Sequence, residues 1–226
     1  MRLLEVCCGN LDSVHAAVRG GAPRIELCSA LELDGLTPAW EDLKAARSLY
    51  PRLTLHVLIR PRAGDFCYTP AEVELMAAQI KTALDCGADG IVIGCLTPES
   101  DVDVPAMRAL LQSAPKPSVT FHRAFDVCRE PYSAMEDILE LGCRRILTSG
   151  QAASAEEGVE LLRELRQRAR GRIGILPGCG VTPGNARQIL EQTGCTEIHA
   201  SASVLSGSRK VTSATLVKAI INAINP

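Results

Sequence analysis

The chain predicts an α/β fold, a single (β/α)8 barrel over residues 1–226, on three observations. Strand-like and helix-like segments alternate strictly from one end to the other. The alternation makes eight units of about 21 to 37 residues each, the size of a strand-helix repeat in such barrels. The joints between units repeat one local grammar. A length of 226 residues with 46% hydrophobic content also suits one sizeable core rather than two. A doubly wound open sheet is the alternative, but no Gly-x-Gly-x-x-Gly follows the first strand.

Four joints superimpose without gaps: Gly21-Ala22-Pro23-Arg24-Ile25, Gly87-Ala88-Asp89-Gly90-Ile91, Gly142-Cys143-Arg144-Arg145-Ile146 and Gly194-Cys195-Thr196-Glu197-Ile198. In each, a helical pattern stops at a glycine suited to the left-handed residue past a helix end, and an apolar run follows. Strands are expected to begin near Leu3, Arg24, Leu53, Ile91, Ser118, Arg145, Ile173 and Thr196. The helices are expected over Asp12 to Arg19, Pro38 to Leu49, Pro70 to Asp85, Val104 to Ser113, Pro131 to Leu141, Ser154 to Ala169, Pro183 to Gln192 and Thr212 to Ile224. Thr37-Pro38, Thr69-Pro70 and Thr182-Pro183 each put a capping threonine before a proline at the first helical position. Thr69 with Glu72, and Ser154 with Glu157, also fit the capping box. Ser206 to Lys210 is a polar loop in this reading.

Composition narrows the function. A net charge of −2 and 3% aromatic residues offer neither a basic stripe nor a row of stacking rings, so nucleic acid is not an expected partner. Glu5 interrupts the N-terminal stretch where an export signal needs apolar length, and no later run approaches a membrane span. A cytoplasmic location follows as the expectation, with the ten cysteines kept as thiols. None of Lys44, Lys81, Lys116, Lys210 and Lys218 falls at the carboxyl end of a predicted strand, which argues against Schiff-base chemistry. The four histidines form neither His-x-His nor His-Glu-x-x-His, so a zinc hydrolase has little support, and no organic cofactor is expected.

In a (β/α)8 barrel the chemistry lies at the carboxyl ends of the strands. Period-two alternation aligns Glu26, Val92, Leu147 and His199 in one register, with Cys28, Gly94, Ser149 and Ser201 two residues on. Glu5-Val6-Cys7 repeats Glu26-Leu27-Cys28, each pair setting a carboxylate and a thiol on one side, and the fifth strand adds Thr120 and His122. Glu5, Glu26, His122 and His199 are therefore candidate acids and bases. A satisfied structural network of the same four is the alternative. Arg60 and Arg62 follow the third strand and Arg123 the fifth, supplying guanidinium forks for a carboxylate or phosphate. Ser149 after the sixth strand, and Gly178 and Gly180 after the seventh, complete a candidate anion site. Alternatively, the arginines pair with Asp65 and Asp126. Cys7 and Cys28 sit on neighbouring strand ends with the same inward parity, so two thiolates there could share a soft ion such as Cu(I). Two buried reduced thiols satisfy the spacing equally well. Cys143 and Cys195 take the slot held by Ala22 and Ala88 and are packing residues. His15 is expected on the surface, and His56 is left between core and site.

These residues resemble the cytoplasmic copper homeostasis family CutC, a TIM-barrel family. The resemblance covers nearly the whole chain. It rests on Glu5-Val6-Cys7, Arg24-Ile25-Glu26-Leu27-Cys28, Ile59-Arg60-Pro61-Arg62 with Gly64-Asp65-Phe66, Gly87-Ala88-Asp89-Gly90, Thr120-Phe121-His122-Arg123-Ala124-Phe125-Asp126, Ile146-Leu147-Thr148-Ser149-Gly150 and Glu197-Ile198-His199. It implies a copper-linked role with Cu(I) on Cys7 and Cys28. Two departures stand out: Cys179 interrupts a seventh-strand loop that is usually three glycines, and Leu33-Asp34-Gly35 replaces a more glycine-rich turn. Two functions remain open, a copper-binding protein and an isomerase or lyase acting on a small phosphorylated or carboxylated metabolite. The expected partner is accordingly a copper ion or a small anionic metabolite, and a homodimer is compatible with either.

Overall fold

The computed structural model describes residues 2–113, 118–206 and 209–226. Eight parallel strands form the central sheet: β1 (Leu3–Cys8), β2 (Arg24–Leu27), β3 (Thr54–Leu58), β4 (Gly90–Ile93), β5 (Ser118–Phe121), β6 (Arg145–Thr148), β7 (Gly174–Pro177) and β8 (Glu197–Ala200). Each strand pairs with its sequence neighbour from β1 to β7, β8 pairs with β1, and β7 packs beside β8. The result is the (β/α)8 barrel predicted from the alternation. Its helices are α1 (Leu11–Arg19), α2 (Trp40–Leu49), α3 (Pro70–Asp85), α4 (Val104–Gln112), α5 (Pro131–Glu140), α6 (Val159–Ala169), α7 (Ala186–Thr193) and α8 (Ala214–Ile224).

The joint glycines Gly21, Gly87, Gly142 and Gly194 all have φ between 72° and 95°, the left-handed geometry their spacing predicted. Outward strand residues such as Val6, Ile25, Val57, Ile91, Phe121 and Ile146 pack with the helices into the main apolar core. Inside the barrel a small apolar cluster of Cys28, Leu58 and Val92, with Cys7 and Leu31 against it, is joined by buried Leu147 and Leu176. Barrel interiors are usually filled by branched aliphatic side chains. Here the space is taken by charged and polar ones, which is what builds the site. Gly90 makes one such exchange feasible: a Cβ there would lie 2.6 Å from His56 Cδ2.

Three helix starts differ from expectation. Thr69 caps α3 in a full capping box with Glu72, as predicted, but Thr37 does not cap α2. Its Oγ1 instead accepts the Arg60 N–H and donates to Gln79, pinning the loop after β3, and α2 begins at Trp40. Thr182-Pro183 opens a turn, and α7 starts only after Asn185. Ser154 accepts the Glu157 N–H, yet α6 begins only at Val159, after Gly158, which packs too closely on Ser149 and Gly150 to carry a Cβ. The polar loop expected over Ser206 to Lys210 overlaps an antiparallel pair of strands, β9 (Ser203–Ser206) with β10 (Arg209–Thr212), and residues 207–208 lie outside the described residues. Lys116 also lies outside them.

Candidate functional site

Strand pairing decides which side chains meet at the carboxyl end of the barrel. Cys7 lies opposite Glu26 in the β1–β2 ladder, and Glu5 lies opposite His199 in the β1–β8 ladder. Their inward parity brings five groups from three neighbouring strands together. Cys7 Sγ is 3.5 Å from Cys28 Sγ. His199 Nδ1 bonds Glu5 Oε1 at 2.9 Å, while its Nε2 is 3.4 Å from Glu26 Oε2. Donor atoms of Cys7, Glu26 and His199 all lie within 4.8 Å of one another, a spacing that could hold a metal ion.

A charged column supports this group from below. Glu5 accepts from Arg24 Nε at 2.5 Å, Arg24 also donates to Glu197 at 2.5 Å, and Glu197 accepts from Arg145 at 2.8 Å. His56 Nδ1 lies 3.2 Å from Glu5 but outside hydrogen-bond angle, so the histidine left open by sequence is a buried neighbour of the column. Burial alone would raise Glu5, yet its bonds with His199 and the charge of Arg24 hold it well below the usual carboxylate range. Burial would lower His199, but bonds to Cys7 and Glu5 and the charge of Glu26 lift it well above an ordinary imidazole. Glu26 has no arginine, and burial raises it to about 7. The bond to Cys28, and then burial, pushes the Cys7 thiol well up. The array is thus an anchored imidazolium between one firmly ionised carboxylate and one poised near neutrality.

Of these groups Cys7, Glu26, Cys28 and His199, but not Glu5, line a cavity of about 680 Å³ that Arg60, Phe66, His122, Arg123, Asp126, Cys179, Gly180 and Lys210 also line. The other residues singled out by sequence are distributed more widely. Arg62 lies away from the cavity wall, bonded to Glu72 at 2.6 Å and Asp65 at 2.9 Å. Arg123 lines the cavity but pairs with Asp126 at 2.7 Å. Arg60 spends its terminal nitrogens on the carbonyls of Leu33, Gly35 and Gly64. Ser149 is buried, donating to Ala152 O, and Gly178 packs under Leu147 and His199. Cys179 adopts φ 80° and donates to Ala153 O, so a thiol-bearing residue occupies a glycine-like backbone position. All ten cysteines are free, with Cys143 and Cys195 buried as packing residues. His15 is only partly exposed and bonds Tyr50.

The match to known proteins now has a geometry to attach to. Residues 2–204 match the CutC family. The chain belongs to the CutC family. A CutC family protein of Bacteroides fragilis is 51% identical over 207 residues, covering 91% of this chain and 82% of that one. One from Chromobacterium violaceum is 48% identical over 201 residues, covering 89% and 81%. The crystal structure of a CutC protein from Streptococcus agalactiae, described as a copper homeostasis protein, superimposes with a TM-score of 0.85 at 31% identity, covering 89% of this chain and 99% of that one. A thiamine phosphate pyrophosphorylase from Pyrococcus furiosus, at 18% identity and a TM-score of 0.66, shares the fold alone.

Within this CutC chain, sequence reasoning named Glu26 and His199 as acid-base candidates but did not group them with Cys7. The signal was in the register: once β8 is known to pair with β1, Glu5 fixes His199 and Cys7 fixes Glu26. Lys210 was missed for the same kind of reason, because the β9–β10 strand pair carries it to the cavity. Among the described residues no helix is long and apolar enough to cross a membrane.

Proposed function

We propose that this CutC chain binds Cu(I) through Cys7 and Cys28 at the barrel mouth, with His199 within reach as a third donor. The observation that carries the reading is the 3.5 Å separation of two cavity-lining sulfurs. Thiolates select soft ions such as Cu(I), whereas a hard ion would seek oxygens. The setting of His199 supports the same reading. A ligating imidazole typically gives its other nitrogen to a carboxylate, and here Glu5 holds Nδ1 while Nε2 faces Glu26 and Cys7. The cysteine thiols, and His199 where it joins, give up protons as the ion arrives, so the ion displaces protons rather than entering a preformed anionic cage.

Competition against a chromogenic Cu(I) chelator tests this. Cys7→Ser or Cys28→Ser alone abolishes tight retention, and the double variant adds little, since the two thiolates act as one ligand set. Cys179→Ser, whose thiol is committed to Ala153 O, retains copper. A double variant that keeps copper as tightly as wild type overturns the reading.

Glu26 favours a second reading, acid-base catalysis on a small phosphorylated or carboxylated metabolite. A carboxyl near 7 both gives and accepts protons, whereas His122 is driven down to about 3 and Glu5 is held ionised. Glu26→Gln would then abolish turnover of any metabolite found by thermal-shift screening while leaving the shift itself intact. Turnover that survives Glu26→Gln refutes that role.

A further inference from the structure

Glu26 stands apart from the other acidic groups inside the barrel. It is 4% exposed, yet among the described residues no backbone amide or arginine donates to it, and it meets the Cys7 thiol and His199 Nε2 instead, the latter at 3.4 Å. Glu5, also buried, is by contrast engaged by both Arg24 and His199. Buried carboxylates are costly unless they are paired or coordinate a metal.

The company Glu26 keeps is a ligand set. Cys7, Glu26 and His199 come from β1, β2 and β8, three strands paired side by side, so the backbone that carries them is rigid. One sulfur, one oxygen and one nitrogen lie within 4.8 Å of one another. Glu5 Oε1 accepts from His199 Nδ1 at 2.9 Å and leaves Nε2 to the cluster, the carboxylate-imidazole arrangement that backs a metal-bound histidine. All three residues line the cavity, so an ion reaches them from the barrel mouth. Cys28 touches Cys7 at 3.5 Å but falls outside the three-donor cluster, and its thiol also lies 3.5 Å from Cys8 O.

We infer that Cys7, Glu26 and His199 form a second donor set, distinct from the thiol pair, that binds Zn²⁺ and leaves one coordination position to the cavity. A mixed sulfur, nitrogen and oxygen set is the chemistry of zinc, and three protein ligands with a fourth position free is the pattern of its catalytic sites. Mg²⁺ and Ca²⁺ take oxygen ligands throughout, and Cu(I) favours the two sulfurs of Cys7 and Cys28. One thiolate and one carboxylate also balance the two charges of the ion, which suits so buried a place. No local motif announces the set, because its members stand at positions 7, 26 and 199 and only the closed sheet unites them. The two sets share Cys7, so the ions exclude each other, but the zinc set does not rest on the copper reading.

The test titrates the reduced, full-length chain with Co²⁺, a spectroscopic stand-in for Zn²⁺, and then displaces it with Zn²⁺. Visible bands of four-coordinate cobalt and a thiolate charge-transfer band should saturate at about one ion per chain. Glu26→Gln keeps the side chain's size and removes the anionic oxygen. It should weaken Zn²⁺ against a competing chelator by about a hundredfold, since even the outer partners of metal ligands are worth roughly tenfold to a hundredfold. Circular dichroism checks its fold, and Cys7→Ser should remove the charge-transfer band. Cys28→Ser should keep the cobalt spectrum while losing copper, and Glu26→Gln should keep copper, so this inference and the copper reading fail separately. No four-coordinate spectrum, unchanged Zn²⁺ affinity in a folded Glu26→Gln, a charge-transfer band that survives Cys7→Ser, or a spectrum lost in Cys28→Ser overturns it.

Discussion

Replacing Glu5 by glutamine probes the charged column beneath the thiols while keeping the side chain's size. Glu5 is fully buried and accepts from Arg24 at 2.5 Å and from His199 at 2.9 Å. Hydrogen bonds to an ionised group contribute about 1.5–3 kcal/mol, against about 0.5–1.5 for neutral ones. Two such bonds therefore lose about 2–3 kcal/mol when the charge goes. Breaking a buried pair outright costs about 3–5 kcal/mol, but Arg24 keeps Glu197 at 2.5 Å, which favours the lower end. We expect about 3 kcal/mol, or a melting temperature lower by about 6–12 °C in a chain of this size. Urea unfolding followed by the fluorescence of the single tryptophan, Trp40, reads it directly. The pH dependence fixes the sign. Glu5 is held well below the ordinary glutamate value of 4.5, so its contribution is full above that value and is lost as pH falls through its native pKa. The gap between wild type and variant should close on acidification. A loss under about 1 kcal/mol at neutral pH, or a gap that persists in acid, refutes the ionised-anchor account.

Three further outcomes can be measured. Thr69→Ala removes the cap of α3, where Thr69 Oγ1 accepts the Glu72 N–H and Glu72 accepts the Thr69 N–H, and should cost about 1 kcal/mol in urea unfolding. Gly94→Ala forces a Cβ to 2.7 Å from the His122 ring and 3.2 Å from Ala124 Cβ, so overpacking should destabilise by about 1–3 kcal/mol in a thermal melt. Cu(I) affinity should rise with pH, by up to about tenfold per unit for each proton released, because the Cys7 thiol is held well above its usual range. Chelator competition at about pH 6 and pH 8 would show a flat response if the thiols were already ionised.

The column also bears on why so polar an interior is tolerated. A buried carboxylate without partners is severely penalised, but here Glu5, Arg24, Glu197 and Arg145 alternate in sign along one connected run of ion pairs. The sequence carries these residues at strand positions of one parity, and the closed sheet stacks them.

Local chemistry alone determined the repeat. The glycine joints, the apolar strand runs and the Thr69–Glu72 box are short-range signals, and each forms within a few residues of where the sequence set it. Parity likewise set Glu5, Cys7, Glu26, Cys28, His122 and His199 facing inward, because alternation along a strand needs no knowledge of its neighbours. What sequence could not supply is distance across the barrel. His199 and Glu5 are 194 residues apart, and only the pairing of β8 with β1 brings imidazole and carboxylate together. The arginines illustrate the same limit. Arg60, Arg62 and Arg123 look alike in sequence as anion forks, but tertiary packing gives Arg62 to Glu72 and Asp65, Arg123 to Asp126, and three carbonyls to Arg60, leaving it one unpartnered N–H. A guanidinium binds whatever oxygens the fold presents first, and that order is decided by long-range contacts rather than by the residues on either side.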